Sequence, residues 1–392
     1  MEHKQKPHLH ATWIDRDAIG IVERLQKSGH MTYLVGGCVR DLLAGLHPKD
    51  FDIATNAQPN MVKKRVWGSY VIGRRFRLVL AKRGDQQYEI ATFRRAGRPE
   101  DFVEGEDAPI GDNFFGTPEE DALRRDFTIN ALFYDPINDQ LIDYAKGLPD
   151  IEAGIVRMIG DPKTRILEDS IRSLRAVRLS HKLRYTIESE FRAAIQETAA
   201  AVAQSALPRR REEYLKFLRL DHPLCALAEM FDLSLLQYLL PTLHALWQDP
   251  QQLETFIHYW HLGTRLQLDP KDPVDLYLPL VFAFSRACQN QSDLELQRDN
   301  FMRDELGMFK AEMSEVMHIL ELSQSLPNVT AFRKRGQRRQ QAFLNQYRLP
   351  QAITLAEIDF QLSPEDLNFW RTGQGDRPLL NSNSKEEPQP HG

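Results

Sequence analysis

A change of hydrophobic period near Ile159 constrains the fold of this 392-residue chain more than any other feature. Before it, from about residue 32 to 150, short apolar runs alternate with Gly and Asp, the pattern of strands and tight turns. After it, residues 167–183, 189–203, 211–220 and most of the later chain carry apolar residues at three- and four-residue spacing, with Pro208, Pro223 and Pro241 as breaks. The predicted class is therefore α+β in separate domains, a mixed-sheet head followed by all-helical parts. The expected boundaries are an N-terminal helical segment (1–30), the head (31–150), a helical neck (151–220) and a helical body and tail (221–371). The polar end, 372–392, rich in Pro, Asn, Ser and Glu, is expected to be disordered. Within the head, residues 33–35 read as a strand, Gly36 and Gly37 as a tight turn, and 39–44 as a helix stopped by Gly45. Phe51 and Ile53 read as a second strand with Asp50 and Asp52 on its other face, and 71–81 with 87–93 as a hairpin across Gly84 and Asp85.

The three cysteines are far apart and in no CxxC spacing, which excludes a disulfide framework or zinc ribbon and favours a reducing compartment. The longest apolar stretch, near 276–284, falls well below the ~20 residues that cross a bilayer, so a cytoplasmic protein without a membrane partner is expected. A net charge of -5 excludes a chain that coats nucleic acid with its whole surface. The basic residues are nonetheless clustered. Arg209, Arg210 and Arg211 form one group; Arg333, Lys334, Arg335, Arg338, Arg339 and Arg348 form another, and such local charge steers a polyanion whatever the total.

Asp50 and Asp52, at i and i+2 of the predicted strand, direct two carboxylates the same way. Like charges that close call for a cation, and a hard divalent ion such as Mg²⁺ suits oxygen ligands, with Glu89 in YEIATF as the candidate third carboxylate. Upstream, LVGGCVRD sets Gly36 and Gly37 between a strand and a helix, where backbone amides and Arg40 can face a phosphate. Together these describe a nucleoside triphosphate held by amides at one end and metal at the other, attacked by a hydroxyl of a second substrate. In RRDFTINA, Arg125 is placed to reach the triphosphate or sugar, and Asp126 to support the metal cluster or the ribose. In EDSIRSLRAVR, Asp169, Arg172, Arg175 and Arg178 lie on one helical ridge. Asp169 beside Arg172 forms an acceptor–donor edge that matches adenine or cytosine and rejects guanine or uracil.

LVGGCVRDLLAG, KDFDIATNAQP, YEIATFR, EEDALRRDFTINALFYD and EDSIRSLRAVR together resemble the class II template-independent nucleotidyltransferases, whose head is similar to that of DNA polymerase beta. The family contains bacterial poly(A) polymerases and tRNA CCA-adding enzymes. The resemblance implies that Asp50 and Asp52 bind catalytic metal and that Glu89 and Asp126 complete the acidic site. It also implies that Gly37, Arg40 and Arg125 hold the nucleotide, while Asp169, Arg172, Arg175 and Arg178 recognise base and phosphates. VIGRRFRL, DNFFGTPEEDA and the late FRKRGQRRQQAF look like the poly(A) polymerase branch, so ATP as substrate and RNA 3′ ends as acceptors are expected, with CCA addition to tRNA as the alternative. The likeness departs at Ser170 and Ser173, in LSHKLRY, and in PRRREEYLKFL, all in the neck. RNA grip is expected from the two basic clusters. The residues identify no protein partner, an RNA-degrading complex included.

Overall fold

Strand-forming β-branched and aromatic runs and the glycines between them build one eight-stranded sheet. The computed structural model describes residues 3–5, 9, 11–73, 78–97, 114–266 and 268–372. The chain divides into two compact units, 1–205 with 220–235, and 206–219 with 236–392. In chain order the first unit begins with β1 (His3–Gln5), α1 (Arg16–Lys27), β2 (Thr32–Val35), α2 (Gly37–Leu43), β3 (Asp52–Thr55), α3 (Pro59–Arg65), β4 (Ser69–Ile72), β5 (Leu78–Arg83) and β6 (Gln86–Thr92). It continues with β7 (Arg94–Arg95), β8 (Phe114–Phe115), α4 (Pro118–Leu123), β9 (Leu132–Asp135), β10 (Gln140–Asp143), α5 (Gly147–Ala153), α6 (Pro162–Glu168) and α7 (Ile171–Leu183). The main sheet runs β1-β10-β9-β2-β3-β6-β5-β4. Among the described strands of this sheet only β3 and β6 pair in parallel, and their register sets Asp52 opposite Glu89.

Alternation then sorts the side chains. Ala54 shares a face of β3 with Asp52 and joins Val35, Phe93, Phe133, Ile142 and, from α4, Ala122 in a buried cluster. Phe51, Ile53 and Ile90 are buried on the other side of the pleat. Asp15 caps α1 by accepting from the amides of Asp17 and Ala18 at 2.7 and 3.1 Å, and α1 buries Ala18, Ile21, Val22 and Leu25. Helix α2 ends as predicted at Gly45, whose φ of +72° suits a residue without Cβ.

Several expected boundaries shift. The strand predicted at 71–81 takes in parts of two strands: β4 ends at Ile72, followed by Gly73 with φ +84°, and β5 pairs back on it antiparallel. The hairpin itself is β5–β6, with Arg83 opposite Gln86 and Gly84–Asp85 as its two-residue turn. Asp50 precedes β3 instead of lying on it. The helix expected at 167–183 is broken, because Asp169 adopts an extended backbone (φ -151°, ψ 94°) between α6 and α7. The neck also divides differently. The helix Leu207–Leu218 belongs to the second unit, where its Arg211 pairs with Glu312. The helix Pro223–Asp232 belongs to the first, where Glu229 pairs with His181 and Arg192. The second unit is otherwise helical, with a core around Tyr277, Phe282, Phe284 and Phe301. Among the described residues no helix is long and apolar enough to cross a membrane. The Arg-Arg-Phe of 74–76, the start of DNFFGTPEEDA and the polar end from 373 lie outside the described residues.

Candidate active site

The parallel β3–β6 register carries the acidic end of the site. The Asp52 side chain reaches solvent, yet protein crowds it, and its carboxyl is pushed up to about 6. Desolvation contributes most, followed by the charge of Glu89; Asp50 adds to the rise, while Arg125 and Arg40 oppose it. Asp52 therefore stands in an excess of negative charge, and a hard cation with oxygen ligands would relieve it. Among the described residues, however, no three potential ligands converge into a closed metal cage. Asp50 lies before the strand, so its alternation with Asp52 does not apply. Mg²⁺ needs no such cage, since it is commonly held by one or two carboxylates with waters and substrate phosphates, and Asp50 with Asp52 fit that donor set.

The turn at the end of β2 meets this acidic end. Gly36 has φ +72°, and a Cβ there would lie 2.9 Å from Arg125 Nη1 and 3.9 Å from Asp52 Oδ2. Glycine is thus required both by conformation and by the closeness of a guanidinium and a carboxylate. Arg125 is held by Asp121, accepting at 3.0 and 3.3 Å, and stacks over Phe133 at 5.3 Å. Arg124 bonds the other Asp121 oxygen. Burial would raise the Asp121 carboxyl, but Arg125 and Arg124 hold it below the usual carboxylate range.

Arg40, expected to face a phosphate, is instead turned inward. Its guanidinium donates to Asn130 Oδ1 and to Asp41 Oδ1, and only 8% of the residue is exposed. Asp41 in turn accepts from Lys182 Nζ of α7 at 2.7 Å. Asp126 is likewise fully engaged. It accepts from the Phe127 amide at 2.8 Å, Asn130 Nδ2 at 2.9 Å and Arg175 at 2.7 and 2.9 Å. Burial would raise its carboxyl, but Arg175 and these hydrogen bonds hold it at about 2. Asp126 and Arg175 thus fasten α7 to the head.

Arg172 and Arg178 lie on α7, which buries Ile171, Leu174 and Val177, whereas Asp169, predicted on the same helical ridge, precedes the helix because its backbone is extended. Arg172 donates to the Arg165 carbonyl at 2.5 Å and to Glu168 at 3.0 Å, Asp169 sits at the α6–α7 break, and Arg178 is close enough to bear on Lys182. Of the first basic cluster, Arg209 is exposed, but Arg211 is spent on Glu312 and stacks over Phe309, and Arg210 is half-buried. The second cluster is exposed from Arg333 to Arg339, with Arg335 over Phe343 at 5.0 Å and Arg333 over Phe369 at 5.0 Å. Arg348 does not join it: it is buried among Asp272, Asp275 and Glu315. The sequence reading missed Asp121, Asn130, Asp41 and Lys182 as supports. Asp121 stands four residues before Arg125, one helical turn, which is the signal that would have found it.

Residues 32–157 match the family described as the poly A polymerase head domain, and 184–246 match the probable RNA and SrmB-binding site of polymerase A. Poly(A) polymerase I of Salmonella typhi is 41% identical over 236 residues, 59% of this chain and 51% of that protein. The CCA-adding enzyme of Lactiplantibacillus plantarum is 38% identical over 219 residues, 56% of this chain and 53% of that protein. The chain therefore spans about half the length of the curated relatives it matches. Among solved structures, the Bacillus stearothermophilus CCA-adding enzyme in complex with CTP superimposes with a TM-score of 0.67 and 25% identity, over 91% of this chain and 82% of that one.

Proposed function

Because this chain fits the class II template-independent nucleotidyltransferase family in its head motifs and in its fold, we propose that it adds AMP from ATP to RNA 3′ ends. The 3′-hydroxyl oxygen of the acceptor forms a bond to the α-phosphorus, the bond to the β-phosphate oxygen breaks, and pyrophosphate leaves as the hydroxyl loses its proton. The observation that carries this reading is the meeting of Gly36, Arg125 and the Asp50–Asp52–Glu89 charge at one end of β3. Gly36 and Gly37 let the backbone approach the triphosphate, and Arg125, held in place by Asp121, neutralises it. Mg²⁺ on Asp50 and Asp52 would supply charge neutralisation and a more acidic attacking hydroxyl. Asp169 and Arg172 read the base edge, which accommodates A or C, with Arg178 nearby; Arg40, Asp126 and Arg175 brace these groups. The exposed run from Arg333 to Arg339 attracts the RNA backbone, and the reaction takes place in the cytoplasm.

Poly(A) addition is favoured by the Poly(A) polymerase I relatives at 40–41% identity. A second reading, CCA addition to tRNA, draws on a relative at 38% and on the fold match to a CCA-adding enzyme. Incubating the protein with all four nucleotides and either oligo(A) or tRNA lacking its CCA end separates them. The proposal expects oligo(A) to grow by many AMP units with ATP alone. Addition confined to CMP, CMP and AMP on the tRNA would replace it with the second reading.

A further inference from the structure

β4 is the outer strand of the eight-stranded sheet, and among the described residues β5 is its only neighbour in that sheet. Its side chains alternate: Ser69 and Val71 are half-buried, whereas Tyr70 and Ile72 are 45% and 36% exposed. Tyr70 stands opposite Leu80, and Leu80 opposite Glu89, so the exposed pair shares the face of the sheet that carries Asp52 and Glu89. Trp67, in the turn that leads into β4, is 80% exposed. That turn is fixed, because the Ser69 hydroxyl donates to the Val66 carbonyl at 2.6 Å and Arg83 donates to the Trp67 carbonyl at 2.6 Å.

Edge strands usually carry a charge, a proline or a bulge that prevents pairing with another chain. β4, with the sequence Ser-Tyr-Val-Ile, has no charge and no proline, and its four residues pair with β5 in continuous register, without a bulge. Three of the four are strong strand formers. Such an edge suits a visiting strand, which bonds through its backbone and sets alternate side chains beside Tyr70 and Ile72. The surrounding charge selects the visitor. From Ile53 to Gly84 the chain has eight Lys or Arg and no Asp or Glu, in a protein of net charge -5. Four of these cations are exposed near the edge: Lys63, Lys64 and Arg65 end α3, which packs on β4, and Lys82 lies on β5. Among the described residues none of the four pairs with an acid, so they are available to an anionic partner. RNA is anionic too, but it has no use for a strand edge, and that edge is what distinguishes this surface from the exposed run at 333–339.

We infer that the outer edge of β4 is a docking site for an extended acidic segment of a partner protein, which adds a strand to the sheet. Its apolar side chains rest beside Tyr70 and Ile72, and its carboxylates face Lys63, Lys64, Arg65 and Lys82. The probe is a peptide in which Val and Glu alternate, compared with the same peptide N-methylated at every amide and with one in which Val and Lys alternate. The Val–Glu peptide is expected to bind with a Kd on the order of micromolar, more weakly as salt rises, and to protect the amides of 69–72 from hydrogen exchange. The other two peptides should bind at least tenfold more weakly. In the protein, Tyr70→Ala should raise the Kd about 2- to 5-fold, and Lys63→Glu with Lys64→Glu about tenfold, each variant first shown to unfold cooperatively. Equal binding of the three peptides, or protection that leaves 69–72 unchanged, overturns the inference. Protection of 69–72 in the free protein also overturns it, since the chain itself or a second copy then covers the edge. Protection by oligo(A) and not by the peptide overturns it in favour of RNA.

Discussion

Two aspartates of the first unit show how local charge assigns work. Asp52, desolvated and facing like charge from Glu89 and Asp50, is pushed up to about 6, whereas Asp126, bound by Arg175 and Asn130, is held at about 2. The first is an anion in want of a cation; the second already has one. A depressed carboxyl contributes stability above its unfolded pKa, near 4, which is lost as pH falls toward 2. Asp126→Asn should therefore cost on the order of 2 kcal/mol near neutral pH and flatten the stability curve between about pH 4 and 2. Urea unfolding across that range checks this, and an unaltered curve would contradict it. At Gly36, alanine must adopt φ +72° and displace Arg125, so Gly36→Ala is expected to raise the ATP KM at least tenfold while the acceptor KM stays put. At this scale the sequence was legible where residue type dictates chemistry, as for Asp52 and Gly36. It aimed Arg40 and Asp126 at a ligand, whereas both engage protein partners, because spacing does not tell whether a charged group faces a ligand or a partner from a distant segment such as Arg175.

Among elements, α7 matters most, because it carries Arg172 and Arg178 and is fastened to the head by Asp41–Lys182 and Asp126–Arg175. Asp41 also holds Arg40, so it links the β2–α2 turn to α7. Asp41→Asn leaves two cations short of a partner at a site where Asp41 is only 6% exposed, and is expected to destabilise the protein by about 3 kcal/mol in thermal or urea unfolding. A loss of a few tenths would mean that the link carries no weight. The helical period and the glycine stop predicted α2 and α7 well. The break at Asp169 was missed, since 167–183 keeps its apolar spacing across a backbone kink that only the start of α6 at Asp161–Pro162 could announce. Strand boundaries slipped as well: the strand predicted at 71–81 takes in the end of β4 and the start of β5, and Gly73, with φ +84°, follows β4.

For the whole molecule, net charge is negative while 333–339 present an exposed cationic and aromatic run. Affinity for RNA should then depend on salt, and replacing Arg335 and Arg339 by alanine should lower the slope of log affinity against log salt by about one per charge removed. An equal slope in the variant would move the RNA grip elsewhere. The fold class, a mixed sheet followed by helices, was legible from the change of period at Ile159. The exchange of helices between the two units was not, because Leu207–Leu218 and Pro223–Asp232 are both amphipathic, and only their partners, Glu312 for Arg211 and His181 for Glu229, decide where each packs. The account as a whole depends on carboxylates at the start of β3 serving phosphoryl transfer. Its most direct test is Mg²⁺-dependent incorporation of labelled ATP into oligo(A) by the wild type, Asp50→Ala and Asp52→Ala, each first shown to unfold cooperatively. The predicted result is extension by the wild type and none by either variant; extension by the doubly substituted protein would contradict it.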